Sequence, residues 1–147
     1  MTSKTAQHKQ HVRDFSASIR DATAAEVGDI LSDYYHEDAT WHGPAPIDEL
    51  NRRDAVTSGF WKPLLEAFPD LEKNDYILFG GEFEGAEWVC ATGSLVGTFE
   101  ADWLDIPATG DATWLRYGEF HRLEDGKIAE TRLLLDVLDV LRQAGYR

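Results

Sequence analysis

Asp125-Gly126 constrains the fold of this chain more than any other feature. It is a favoured composition for a two-residue hairpin turn, and it joins two stretches of strand character, Trp114–Leu123 and Lys127–Leu135. Pairing outward from the turn sets Glu124 against Lys127 and Leu123 against Ile128. The same register opposes His121 to Glu130, Glu119 to Arg132, Tyr117 to Leu134 and Leu115 to Asp136. Alternation then places all of these on one sheet face. An even loop length preserves the result and an odd one overturns it.

Two readings of that face compete. It can be solvated, with cross-strand ion pairs worth well under ~1 kcal/mol each. It can instead line a cavity, where His, carboxylate and guanidinium groups shift one another's proton affinities as catalytic groups do. Leu115, Tyr117, Leu123, Ile128 and Leu134 share the face and surround the polar groups with apolar surface, which favours the pocket.

Upstream, apolar spacing predicts a helix over about His8 to Ala22. Thr23 and Glu26 form a capping-box pattern for a second helix ending at Tyr34 or Tyr35. A short segment, Ala39 to His42, runs into Gly43-Pro44-Ala45-Pro46. A third helix over about Arg53 to Phe68 contains Pro63, which predicts a kink or interruption. Strands are expected at Tyr76–Phe79 and Trp88–Phe99, a loop at Asp102–Thr113, and a final helix at Val137–Gln143. Helices followed by antiparallel strands indicate an α+β domain with its helices on one side of a curved sheet.

The 147 residues suit one domain, 1–147, long enough to bury roughly 70% of its unfolded surface without disulfides or metal. Twenty-seven acidic against 14 basic residues give a net charge of −13, which disfavours nucleic acid as a partner. The polar segment Met1–Asp14 has no apolar core of a secretory signal, and no run is long enough to span a membrane. The lone Cys90 excludes an internal disulfide and fits a reducing compartment. A soluble, cytoplasmic protein is expected. The chain has no G-x-S-x-G, G-x-G-x-x-G, Walker A or H-E-x-x-H motif, and no metal is expected.

Tyr34-Tyr35-His36-Glu37-Asp38-Ala39-Thr40-Trp41-His42-Gly43-Pro44 resembles the early acidic, v-x-H-x-P passage of SnoaL-like polyketide cyclases, members of the NTF2-like superfamily. Phe120 to Glu130 resembles their f-R-x-x-D-G-K-I-x-E hairpin, and Asp136 to Gly145 their D-x-x-x-L-L-x-Q-L-G ending. The resemblance spans about His8 to Gly145. It implies a cone, a strongly curved antiparallel sheet wrapped around N-terminal helices and enclosing a pocket, commonly dimerised through the outer sheet face. It implies a general acid/base enzyme without cofactor, with Asp136 as the family's catalytic Asp, and His42 and His121 as pocket histidines. Glu119, Arg132, Tyr117, Trp41, Tyr34 and Leu134 would contact a small-molecule ligand.

Arg132 departs from the aromatic residue common in the family. Between Glu119 and Asp136 it would form a charged clamp, similar to the carboxylate-Arg-carboxylate set of limonene epoxide hydrolases. Three functions therefore stand open: aldol-type cyclisation or isomerisation of a partly apolar carbonyl compound, water addition to an epoxide, and ligand binding without catalysis.

Overall fold

The computed structural model describes residues 3–146. Helix α1 (Lys4–Arg20) starts at Ser3, whose Oγ accepts the Ala6 N–H at 3.1 Å, and buries Val12, Phe15, Ser16 and Ile19 along one face. Thr23 and Glu26 bond to each other, Thr23 Oγ1 accepting the Glu26 N–H at 3.3 Å and donating to its carboxylate at 2.7 Å. They do so in a turn before the second helix, whose N-cap is Glu26 and not the expected Thr23. Helix α2 (Val27–Tyr34) follows directly. Helix α3 (Arg53–Val56), a π-helical turn (Thr57–Trp61) and helix α4 (Lys62–Ala67) make up the third helical segment. The interruption comes just before Pro63, which has no N–H for the carbonyl one turn back. The chain widens there, and the Lys62 N–H reaches the Thr57 carbonyl. Phe60 and Trp61 both turn into the core.

The strands are β1 (Tyr35–His42), β2 (Glu49–Asn51), β3 (Glu72–Phe83), β4 (Ala86–Thr98), β5 (Ala112–Glu124) and β6 (Lys127–Leu135), and helix α5 (Val137–Gln143) follows. They form one curved, unclosed sheet in the order β2-β1-β6-β5-β4-β3. Every neighbouring pair is antiparallel except β1 and β6, which run parallel, so the sheet is mixed. β1 begins four residues before the expected Ala39. β3 extends both ways beyond Tyr76–Phe79, through Glu72-Lys73-Asn74-Asp75 and across Gly80-Gly81. Those polar residues and glycines have weak strand preference alone; pairing with β4 holds them extended.

The hairpin turn forms as expected, with Asp125 and Gly126 both at positive φ, and Glu124 faces Lys127 and Leu123 faces Ile128. The expected register fails one step later. Arg122 faces Glu130, leaving Ala129 as the extra residue of a β-bulge. Beyond it His121 faces Thr131, Phe120 faces Arg132, Glu119 faces Leu133 and Tyr117 faces Leu135. The expected pairs His121–Glu130, Glu119–Arg132, Tyr117–Leu134 and Leu115–Asp136 are therefore corrected. The cause lies in burial. Ile128 is fully buried, and Thr131, Leu133 and Leu135, which lie on the opposite phase of the strand, are at most 9% exposed. One inserted residue lets both sets face the core, and it turns Glu130, Arg132 and Leu134 outward.

Candidate functional site

The inward β5 positions Leu115, Tyr117, Glu119, His121 and Leu123 are all at most 5% exposed. Around the three polar members gather Lys73 and Asp75 from β3, Thr131 from β6, Tyr35 from β1 and Ser16 from α1. They form one hydrogen-bonded chain. Tyr35 and Thr131 hydroxyls are 2.8 Å apart, Thr131 Oγ1 lies 2.8 Å from His121 Nδ1, and His121 Nε2 lies 2.8 Å from Glu119 Oε2. Glu119 Oε1 accepts from Lys73 Nζ. The ammonium also donates to Ser16 Oγ at 2.7 Å and Asp75 Oδ1 at 2.8 Å, and the Tyr117 hydroxyl donates to the same Asp75 oxygen.

Counting donors fixes the direction of the chain. Lys73 gives its three N–H bonds to Glu119, Asp75 and Ser16. Glu119 accepts only, so His121 gives its Nε2 hydrogen to it. Nδ1 then accepts from Thr131, and Thr131 accepts from Tyr35. In the reverse arrangement the Tyr35 hydroxyl hydrogen has no acceptor among the described residues.

Burial would raise the Glu119 carboxyl, but the Lys73 ammonium and His121 outweigh it and hold it at about 2, against an ordinary 4.5. Burial pushes Tyr35 and Tyr117 well up, Tyr117 further because of Glu119 and Asp75. The site thus holds a carboxylate and an ammonium in contact, with two phenols that stay protonated.

Two cavities meet at Lys73. Inside, a chamber of about 10 Å³, the space of roughly one water, is walled by Trp41, Phe60, Trp61, Leu95 and Leu133 together with Tyr35, Lys73, Tyr117, Glu119 and Thr131. The Trp61 indole N–H, on this wall, is buried with no partner among the described residues. Outside, a groove of about 560 Å³ between α1 and β3 also reaches Lys73, Ser16 and Asp75. Gly93 allows Asn74 of β3 and the Tyr117 hydroxyl to approach β4 closely. A Cβ there would lie 1.9 Å from the Asn74 carbonyl oxygen and 2.6 Å from the Tyr117 hydroxyl.

The residues expected at the site divide between the two sheet faces. Glu119, Tyr117 and Trp41 line the chamber, and His121 stands directly behind Glu119. Tyr34 is elsewhere, edge-on to Phe15 with its hydroxyl 3.2 Å from Ser18 Oγ. Arg132, Leu134 and His42 are on the outer side. There His42 Nε2 lies 3.9 Å from Glu130, which pairs with Arg132 at 2.7 Å and Arg122 at 3.1 Å. Asp136 caps α5, accepting the Asp139 N–H at 3.2 Å, and pairs with Arg116 at 2.6 Å, which holds its carboxyl below the ordinary range. It borders an outer depression with Arg116 and Leu134, not the chamber. Asp136→Ala should cost about 1 kcal/mol in urea unfolding, the value of a lost helix cap.

Lys73, Asp75, Tyr35, Thr131, Ser16 and Trp61 were not found by sequence reasoning. The available signal was the i, i+2 alternation of Leu71, Lys73 and Asp75, a strand face bearing a cation and a carboxylate. Among the described residues no group of three or more His, Cys, Asp or Glu is placed to hold a metal ion. No described helix is long and apolar enough to cross a membrane.

A family model for SnoaL-like polyketide cyclases matches residues 10–144. No curated protein matches the sequence significantly. Among solved structures, a candidate SnoaL-like polyketide cyclase from Jannaschia sp. CCS1 superposes with a TM-score of 0.76 at 19% identity, over 96% of this chain and 93% of that one. TsrD from Streptomyces laurentii gives 0.75 at 18% identity, over 100% of both chains. A limonene-epoxide-hydrolase-like epoxide hydrolase from M. tuberculosis gives 0.69 at 13% identity, over 97% of this chain and 87% of that one. At these identities the likeness is one of fold.

Proposed function

Because the chain belongs to the SnoaL-like polyketide cyclase family, we propose that its whole length, 1–147, is one domain that catalyses cofactor-independent general acid/base chemistry on a small, partly apolar carbonyl compound. The supporting observation is the buried Glu119–Lys73 pair on the wall of a chamber lined largely by aromatic and aliphatic side chains, backed by His121 and flanked by two protonated phenols. A carbonyl oxygen at the chamber wall would take the place of Glu119 on the Lys73 ammonium, with the unspent Trp61 N–H as a further donor. Freed of its cation but still buried, Glu119 would become more basic and remove a proton from the carbon next to the carbonyl. His121 would hold the carboxyl in place through Oε2. Lys73 would stabilise the developing oxyanion, an effect worth about 3–4 kcal/mol where donors are preorganised.

The chamber is closed around the volume of one water, so turnover requires its wall to move. The π-helical turn carries Phe60 and Trp61 and is the proposed moving part. Asp136 and His42 have no part in this mechanism.

One observation favours water addition as a second reading. Asp75, Lys73 and Glu119 form a carboxylate-cation-carboxylate set with lysine in the central place. Solvent-exchange NMR separates the two. With 2-tetralone in D₂O, the first reading expects saturable exchange of the α protons at least a hundredfold above buffer. Absence of exchange, with conversion of styrene oxide to its diol, would replace it by the second.

A homodimer in the cytoplasm is also proposed. The outer sheet face exposes Phe79, Phe83, Phe120 and Leu134 around an apolar depression of about 310 Å³, a surface suited to a second copy.

A further inference from the structure

The groove between α1 and β3 differs in charge from the rest of the molecule. Arg13, Ser16, Ala17 and Arg20 lie along one face of α1 at i, i+3, i+4 and i+7, and the opposite wall is Tyr76, Ile77 and Leu78 of β3. In a chain with nearly two acidic residues for each basic one, neither arginine forms an ion pair among the described residues. Arg20 gives its Nε hydrogen to the Lys73 carbonyl at 2.9 Å and an Nη2 hydrogen to Asn74 Oδ1 at 2.9 Å, neutral acceptors that leave its charge uncompensated. The carboxylate on the groove floor, Asp75, is already engaged by Lys73 and Tyr117.

Apart from the arginines, Asp75 and the buried Ser16 and Lys73, the lining is apolar. Tyr76 is 68% exposed and Ile77 60%, large apolar side chains presented on an edge strand beside two guanidinium groups. Ala17, the smallest chiral side chain, lies between the arginines and leaves the space clear. A groove of about 560 Å³ is within the range that holds a drug-sized ligand. Arginine is suited to carboxylates because its planar fork matches their geometry.

We propose that this groove binds an organic anion, a carboxylate carried on an aromatic or otherwise flat apolar body. Arg13 and the free edge of Arg20 hold the carboxylate, and Tyr76 and Ile77 cover the apolar body. The inference rests on the proposed acid/base reading only in naming what this ligand is for: Lys73 lines both the groove and the chamber, so a ligand held in the groove lies beside the proposed catalytic pair. The substrate class then narrows to carbonyl compounds bearing a carboxylate. Local positive charge overcomes the repulsion that a net −13 protein exerts on any anion.

The test is equilibrium binding followed by tryptophan fluorescence, with 2-naphthoate, 2-naphthamide and inorganic phosphate as probes at low and high salt. Naphthoate should bind at least tenfold tighter than the amide and more weakly as salt rises, while phosphate should compete poorly. Arg13→Gln should abolish the preference for naphthoate over the amide without changing amide binding. Ala17→Trp, filling the groove at an exposed position, should remove binding of both probes while leaving the thermal transition in place. Equal affinity for acid and amide, a preference surviving in Arg13→Gln, or effective competition by phosphate would each overturn the proposal, as would no binding at millimolar probe. None of these outcomes bears on exchange of the neutral ketone 2-tetralone, so the groove and the acid/base reading stand or fall separately.

Discussion

Replacing Lys73 with methionine should lower stability by about 3–5 kcal/mol, the usual cost of leaving one member of a buried ion pair alone. At roughly 2–4 °C per kcal/mol for a chain of this size, the melting temperature should fall by about 6–20 °C. Methionine fills a similar volume, so the loss is electrostatic. Lys73 is 2% exposed, and its ammonium is the main counter-charge to Glu119, itself 3% exposed. The pH dependence should also change sign. In the native protein the Glu119 carboxyl sits at about 2, below its ordinary 4.5. Its stabilising contribution is therefore complete above 4.5 and lost as pH falls toward 2. In Lys73→Met the largest opposing influence on desolvation is gone and the folded-state value rises. The folded state then gains stability as pH falls through that raised value. Adding Glu119→Gln removes the orphan charge and should recover most of the loss. Urea unfolding of the two variants between pH 4 and 7 checks this. A loss under 1 kcal/mol in the single variant, with unchanged pH slope, would refute it.

The fold was legible because its signals are local. The Asp125-Gly126 turn and the interruption at Pro63 each depend on a few adjacent residues, and each is found in the structure. The site was only half legible, because it depends on phase. β5 alternates cleanly, so Tyr117, Glu119 and His121 were placed together correctly. On β6, Leu133-Leu134-Leu135 is apolar on both phases and hides the bulge at Ala129. One displaced residue exchanges Thr131 and Leu133 for Glu130, Arg132 and Leu134 at the inner face. Lys73 and Asp75 were missed for a different reason. Their strand is polar in composition and becomes a strand through pairing with β4, a non-local cause that a window of neighbours does not contain. The carboxylate-cation-carboxylate set expected of Glu119, Arg132 and Asp136 thus has a counterpart in Glu119, Lys73 and Asp75, built on different strands.

Glu119→Gln should reduce enzymatic α-proton exchange by about 10²–10⁴-fold, the range for removing a positioned general base, while the protein stays folded. The side chain keeps its shape, and its carbonyl can still accept from Lys73. Its amide, however, presents hydrogens to His121 Nε2, which in the native chain is a donor. His121 must then carry its hydrogen on Nδ1, Thr131 must donate to Tyr35, and the Tyr35 hydroxyl hydrogen is left without an acceptor. That reversal should cost about 1–3 kcal/mol, the penalty for one buried unsatisfied group. Tyr35→Phe should bring no relief in the Glu119→Gln background, because the Thr131 hydroxyl hydrogen then loses its acceptor in turn. Because Glu119 is ionised in the free enzyme down to about 2, the acid limb of kcat/KM that it causes should lie below pH 4. Exchange surviving in Glu119→Gln would show that the buried chain is a structural tie and that the chemistry lies elsewhere.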